Sequence, residues 1–453
     1  MTYAAAIEHL YALGHELAAR PDGAAPRRKF DLNEMRALAR ELGDPQKRFR
    51  SVLIAGTNGK GSTSATLASI LVSAGHKTGL YTSPHLVRVN ERVQTSTDGH
   101  GLQEITDDDF ARLYVRVDDA AQKLVQKGEL PHHPSFFEVV TAVAFLAFAE
   151  AGVEIAVLEV GLGGRLDATN IVEPEMSVIT DIALDHQQWL GNTLTEIARE
   201  KAGILRENGV MITLPQHPEA NAALGEIAVV KSVTGINAGE YLPLQMGPGS
   251  AAATNRYSLQ VRDEEIEVDS PLVGSHQQRN LALALASAVA LDHAGIAVSN
   301  TAIVEGIRNT VWPGRLETVI VKGRELILDV AHNPAGIWSL RSYLAGRHCE
   351  SWTLVFSSLA DKAVAEMAQI LFPLFEDEGA RILLAPMNNP RAASADAMRT
   401  LAEALETRAE IFADVQQAMQ SAFHSGRTPI VVAGSVFLIG EVKAMLDRGE
   451  WEA

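Results

Sequence analysis

Short, unbroken apolar runs that end in glycine or an acid alternate along this chain with stretches whose apolar residues recur every three or four positions. Ser51 to Gly56 (SVLIAG), Ile155 to Gly164 (IAVLEVGLGG) and Met176 to His186 (MSVITDIALDH) read as buried parallel strands. Between the first two, Leu67, Ile70, Leu71 and Ala74 fall on one helical face, and Gly75 is placed to end that helix. From Pro243 to Val273 the texture shifts to short antiparallel strands, followed by a helical block from Asn280 to His293. Beyond residue 298 the strand-and-helix alternation resumes, with strands in Leu326 to Pro334, Trp352 to Lys362, Ala380 to Pro386 and Thr428 to Phe437. This grammar predicts an α/β fold of two domains: an N-terminal parallel-sheet domain of P-loop ATPase type over 1–297, and a smaller Rossmann-like α/β domain over 298–453. A ligand is expected at the carboxyl ends of the strands.

Composition narrows the class. A length of 453 residues gives ample core for two or three domains, and Cys349, the one cysteine, excludes an internal disulfide framework. Against 39 Lys and Arg stand 56 Asp and Glu, so the surface does not suit a nucleic acid, although a nucleotide needs only a local cradle. The N-terminal stretch MTYAAAIEHLYALGHEL carries acids and histidines and makes a poor signal peptide, and no apolar run reaches the ~18 residues of a membrane span. The expectation is a cytoplasmic, monomeric enzyme, with neither nucleic acid nor membrane as a partner.

The strongest local signal is GTNGKGS, Gly56 to Ser62, between a strand and a helix. Glycines there allow close backbone approach, successive N–H groups form an anion nest, and the helix start adds positive potential. Asn58, Gly59, Lys60, Gly61 and Ser62 are the candidate ATP-binding residues, with Lys60 as a point charge for the β- and γ-phosphates. The spacing departs from the usual phosphate loop, because two residues separate Gly56 from Gly59 and a glycine follows the lysine.

Glu159 closes an apolar strand, where a carboxylate is costly unless paired or metal-bound, and His186 ends the next strand-like segment. With the hydroxyl of Ser83 these are hard donors suited to magnesium beside phosphate oxygens. Taken singly, each also reads as a capped serine, a buried ion pair or a core histidine. Lys201 is unusual by position. Thr193-x-x-Glu196 forms a capping box, and Leu194, Ile197, Lys201, Ile204 and Leu205 then share the apolar stripe of one helix. A desolvated lysine has a lowered pKa.

The segments GTNGKGS, YTSPHLVRVNERV, SFFE, LEVGLGGRLDATN, ALDHQQWLG, REKAGI, QQRN, PGRLE, LDVAHNP and AGS occur in an order that closely resembles the folylpolyglutamate synthase/dihydrofolate synthase family, relatives of the Mur ligases. The resemblance covers nearly the whole chain and implies an ATP-dependent amide ligase. It implies magnesium at Ser83, Glu159 and His186, with Lys201 carbamylated as a further ligand, and it places Lys60, His186 and Lys201 in the catalytic machinery. It adds Asn280, Arg315 and Asp329 to the ATP contacts.

The same resemblance puts the pterin substrate near Lys29, Phe30, Asp31 and Leu32, near Ser135, Phe136, Phe137 and Glu138, and near Leu166, Asp167 and Ala168. Phe136 and Phe137 offer a flat apolar wall, though both also suit a core. His332 and Ser435 are the candidates for L-glutamate. The implied substrates are dihydropteroate and tetrahydrofolate, joined to glutamate through an acyl phosphate. The alternatives are the tail-lengthening activity alone, a Mur ligase of cell-wall precursors, which the pterin-side segments disfavour, and a nucleotide-binding regulatory module.

Overall fold

The computed structural model describes residues 1–14, 32–97, 101–243, 255–347, 351–376, 379–426 and 429–450. Its first sheet is built from β1 (Arg50–Ala55), β2 (Thr78–Tyr81), β3 (Val93–Ser96), β4 (Gln103–Glu104), β5 (Ile155–Glu159), β6 (Met176–Ile179), β7 (Val210–Thr213) and β8 (Thr234–Asn237). Their order is β4-β3-β2-β5-β1-β6-β7-β8, parallel from β2 to β8 with β3 and β4 as an antiparallel edge. Side chains alternate between the two faces of a strand, and both faces of this sheet are covered. Val52 and Ile54 pack with Leu67, Leu71 and Leu281 on one side, while Leu53 and Ala55 pack with Val139, Val143 and Phe145 on the other. That double burial is why the strands read as continuous apolar runs.

The strands are shorter than the apolar runs. Pairing in β5 stops at Glu159, and the glycines that follow carry the chain out of the sheet, Gly163 at φ +69°. Met176 to His186 likewise gives four strand residues and then a loop that crosses the sheet's carboxyl edge. The expected helix spans Lys60–Ser73, and Gly75 follows it at φ +87°. Next come β9 (Asn255–Val261) and β10 (Glu264–Ser270), the expected antiparallel pair. The helix after them begins at Ser275, five residues before its apolar pattern becomes visible, and runs to His293.

The second sheet contains β11 (Glu317–Val321), β12 (Arg324–Leu328), β13 (Thr353–Phe356), β14 (Arg381–Leu384), β15 (Ala409–Ile411) and β16 (Ile430–Ala433). Its order is β11-β12-β16-β13-β14-β15, parallel except for β11. Two apolar layers flank this sheet as well. The expected division at residue 298 falls just before a helix that packs with the first domain. Helix Asn300–Arg308 buries Ala302, Ile303 and Ile307 in the same layer as helix Lys60–Ser73, and Ser69 Oγ donates to Gly306 O at 2.6 Å. Its apolar face is completed by helix Lys60–Ser73 and by β10, so the first core extends beyond residue 298.

Candidate functional site

Sheet order places the site. From β1 the chain moves to β2 on one side and returns to β6 on the other, so a crevice opens beyond the carboxyl end of β1. The loop after β1 enters it. Gly56 lies at φ +154°, where a Cβ would overlap Thr180 Oγ1, and Gly59 at φ +89°, where a Cβ would overlap Asn280 Oδ1. No side chain fits either position, which is the physical reason for the glycines. Thr57 N–H and Asn58 N–H donate to Asp181 O at 2.9 and 3.1 Å, fixing the turn, and Lys60 Nζ donates to Thr57 O at 3.2 Å.

A cavity of about 450 Å³ opens over this loop. It brings together nearly all the residues expected for nucleotide and metal: Asn58 through Ser62, Ser83, Glu159, His186, Lys201, Asn280, Arg315 and Asp329. Asn280 lies inside its helix rather than capping it, with Nδ2 on Gln277 Oε1 at 2.8 Å. Asp329 accepts from Leu316 N–H and Ala331 N–H, both at 2.9 Å, and so ties the segment carrying Arg315 to the end of β12. Arg315 stacks on the ring of Trp312, and burial lowers its pKa against the pull of Asp329, Glu159 and Glu317.

Burial sets the charges at the centre. Glu159 is 4% exposed and its Oε2 accepts Ser83 N–H at 3.1 Å; desolvation raises its pKa while Lys60, Arg315 and Arg92 oppose the rise. Lys201, also 4% exposed, sits in the last turn of helix Leu194–Ala202 and donates from Nζ to Gly56 O at 2.7 Å. Desolvation, aided by Lys60, brings its pKa down to about 7. His186 takes φ +50°, and desolvation brings its imidazole down to about 3, so it is neutral and can act as a ligand. Among the described residues no three of His, Cys, Asp and Glu cluster as a metal centre by themselves. The donors expected for a metal here are the Glu159 carboxylate, the His186 imidazole, the Ser83 hydroxyl and the Lys201 amine, all lining this cavity.

A second cavity, about 330 Å³, adjoins the first. Ser135, Phe136, Phe137, Glu138, Leu166, Asp167 and Ala168 line it from the first domain, and His332, Lys362, Arg391, Ser435 and Phe437 from the second. Phe137 forms its wall and abuts Gly161, where a Cβ would lie 2.5 Å from the ring. Phe136 is mostly core, stacked on Tyr11 with Arg92 over its face. Ser135 and Glu138 make a reciprocal helix cap. Asp167 is committed to its own loop, accepting from Leu162 N–H, Thr169 N–H and Thr169 Oγ1, and burial raises it to about 6. Leu32 lines neither cavity: it opens helix Leu32–Glu41 and packs against the core. Lys29, Phe30 and Asp31 lie outside the described residues.

Several residues that pattern reading passed over join the two domains here. Asp185 accepts from Lys362 Nζ at 2.6 Å and from Asn333 Nδ2 at 3.2 Å, and His332 Nε2 is 3.7 Å away. Asn333 Nδ2 also reaches Asn58 Oδ1 at 2.9 Å, linking the phosphate loop to the second domain. Their only signal in the sequence was position, polar residues just past strand ends. The two cavities share part of their lining, including Ser83, Gly161, Gly163, His186 and His332.

A phosphate loop on one α/β domain, closed by a second α/β domain that carries its own polar groups into the same cleft, defines a Mur-type, ATP-dependent ligase. Residues 113–288 match the Mur ligase middle domain, and residues 314–436 match the Mur ligase glutamate ligase domain. The chain belongs to the dihydrofolate synthase/folylpolyglutamate synthase family, ligases of folate metabolism. It is 33% identical over 428 residues to the Bacillus subtilis dihydrofolate synthase/folylpolyglutamate synthase, covering 92% of this chain and 95% of that one. The Lacticaseibacillus casei folylpolyglutamate synthase is 32% identical over 429 residues, covering 93% and 95%. Among solved structures, Mycobacterium tuberculosis folylpolyglutamate synthase complexed with ADP and AMPPCP superposes with TM-score 0.82 at 28% identity, covering 98% of each chain. Escherichia coli FolC in complex with DHPP and ADP gives TM-score 0.80 at 30% identity, covering 99% and 98%.

Proposed function

We propose that this enzyme joins L-glutamate to dihydropteroate, forming dihydrofolate, and to tetrahydrofolate, forming polyglutamates, as a cytoplasmic monomer. The observation that carries this reading is the junction of the two cavities. A carboxylate presented from the aromatic-walled cavity meets a triphosphate over the phosphate loop where the two cavities share their lining, Ser83, Gly161, Gly163, His186 and His332 among it.

The chemistry follows from charge. The substrate carboxylate attacks the γ-phosphorus of ATP, the bond to the β-phosphate oxygen breaks, and ADP leaves an acyl phosphate behind. Two anions must approach for this, so Lys60 and Arg315 offset their repulsion from opposite domains. The α-amine of glutamate then attacks the acyl carbon, phosphate departs and an amide forms. His332 Nδ1 donates to Val330 O at 2.9 Å, which leaves Nε2 of the neutral ring as the nitrogen able to accept a proton from the amine. Lys362 and Arg391 supply positive charge for the carboxylates of the amino acid.

The donors fit magnesium, which Ser83, Glu159 and His186 would hold, and the ion would supply charge neutralisation between phosphate oxygens. A buried amine with a pKa near 7 is available to carbon dioxide: its nitrogen bonds to the carbon and one proton leaves, giving a carbamate. Lys201 modified in this way would keep its remaining N–H toward Gly56 O.

Assays of dihydropteroate and tetrahydrofolate side by side, each with ATP and glutamate, test the reading. Turnover of both is expected; turnover of tetrahydrofolate alone would leave the tail-lengthening activity named for the Lacticaseibacillus relative. Lys60→Ala is expected to lower kcat by about 10²–10³-fold, the loss typical of removing one preorganised electrostatic contact, and unchanged turnover would refute the charge argument.

A further inference from the structure

Gly61 and Arg315 both line the nucleotide cavity, one from each side of the cleft, and Trp312 lies behind them touching both. A Cβ at Gly61 would sit 2.7 Å from Trp312 Cζ2 and 3.1 Å from Nε1, so the indole edge rests directly on the first turn of the phosphate-loop helix. The Arg315 guanidinium carbon lies 5.5 Å from the centre of the same ring. Trp312 is also held at its own root. Helix Asn300–Arg308, four residues before it, is pinned to helix Lys60–Ser73, where a Cβ at Gly306 would overlap the Ile70 backbone. Three residues after it, Arg315 is fixed by its Nη1 bond to Pro313 O at 3.0 Å and by Asp329 bonding Leu316 N–H. Among the described residues the indole N–H is buried without a hydrogen-bond partner. An unpaired buried donor is unfavourable, so the shape of the ring rather than its polarity accounts for its place.

We propose that Trp312 is a positioning residue for ATP: its indole is the spacer that sets the distance between Gly61 on the phosphate loop and the Arg315 guanidinium, so that both grip one triphosphate. This inference rests on reading the larger cavity as the ATP site.

Titration calorimetry with ADP and magnesium on full-length variants tests it, together with KM values for ATP, dihydropteroate and glutamate. Trp312→Leu is expected to raise the ADP Kd and the ATP KM about tenfold, with the other two KM values unchanged. Arg315→Lys should then cost much less in the Trp312→Leu background than alone, because the two residues act through one contact. Gly61→Ala should weaken ADP by itself, and Trp312→Phe should restore part of the loss, since a phenyl ring lacks the Cζ2 atom that the new methyl meets. An unchanged ADP Kd in Trp312→Leu would overturn the proposal. So would a fall in thermal midpoint with all three KM values rising together, and so would additive losses with Arg315→Lys. If Trp312→Leu does not fold, the Gly61→Ala and Trp312→Phe pair decides, and absence of rescue overturns the proposal. Lys60→Ala separates the two layers: if it too leaves ADP affinity unchanged, the cavity is not the ATP site and the earlier reading fails.

Discussion

Burial decides what the individual side chains around the nucleotide cavity can do. His276, beside Arg315 and Asp181, has its imidazole brought down from 6.5 to about 4, mainly by desolvation. Between those values the unfolded chain binds the proton and the folded chain does not, so stability falls as pH drops from 6.5 to 4 and the loss is complete below that. His276→Gln is therefore expected to lose less thermal midpoint than the parent between pH 7 and pH 4.5; equal losses would show that this group is not desolvated. Lys201 follows the same physics with the opposite use. Desolvation brings its amine down to about 7, which favours the uncharged form, and a carbamate carbon signal is expected by NMR with labelled bicarbonate. Lys201→Arg should abolish that signal, and its persistence would move the modification to another lysine.

At the level of elements, the phosphate loop is positioned by what packs behind it. Helix Lys60–Ser73 is buried along most of its length between the first sheet and helices Ser275–His293 and Asn300–Arg308. Its close contact with the last of these needs a glycine at 306. Gly306→Ala is expected to destabilise by about 1–3 kcal/mol, the usual cost of overpacking a tight core, read as a lower thermal midpoint. The capping box at Thr193 and Glu196 and the glycine after Ala74 were legible in the sequence because caps and helix ends are local. β11 was not. It is an edge strand whose residues alternate between half-buried and exposed, turned by Lys322 and Gly323 at φ +49° and +76°, and its apolar run is only Val319 to Val321.

Across the whole molecule, the two domains are joined at Asp185 by a nearly dry ion pair with Lys362, each side chain 8% exposed. Desolvation works to raise the Asp185 carboxyl, but the charge of Lys362, which also donates a hydrogen bond to it, holds it well below the usual range. Lys362→Met leaves that charge buried without its partner, and about 3–5 kcal/mol of destabilisation is expected. The double variant Asp185→Asn with Lys362→Met should recover much of the loss, measured as protease resistance of the inter-domain segment. A double variant as weak as the sum of the singles would show that the pair does not act as a unit. The same joint ties Asn58 on the phosphate loop to Asn333. The two cavities are therefore bordered by one group of contacts between domains, Asp185 with Lys362 and Asn333, and Asn58 with Asn333.

Sequence by itself determined the α/β alternation, the glycine-rich loop after β1, the lysine on an apolar stripe and the family motifs, because each is written in residues close together in the chain. Only the tertiary structure decided which polar groups face one another. Asp185 and Lys362 are separated by 177 positions and Gly61 and Trp312 by 251, and nothing local marks either as a partner of the other. The place of the helix after residue 298 also waited on packing, since it is amphipathic and completes a core built almost entirely from earlier residues.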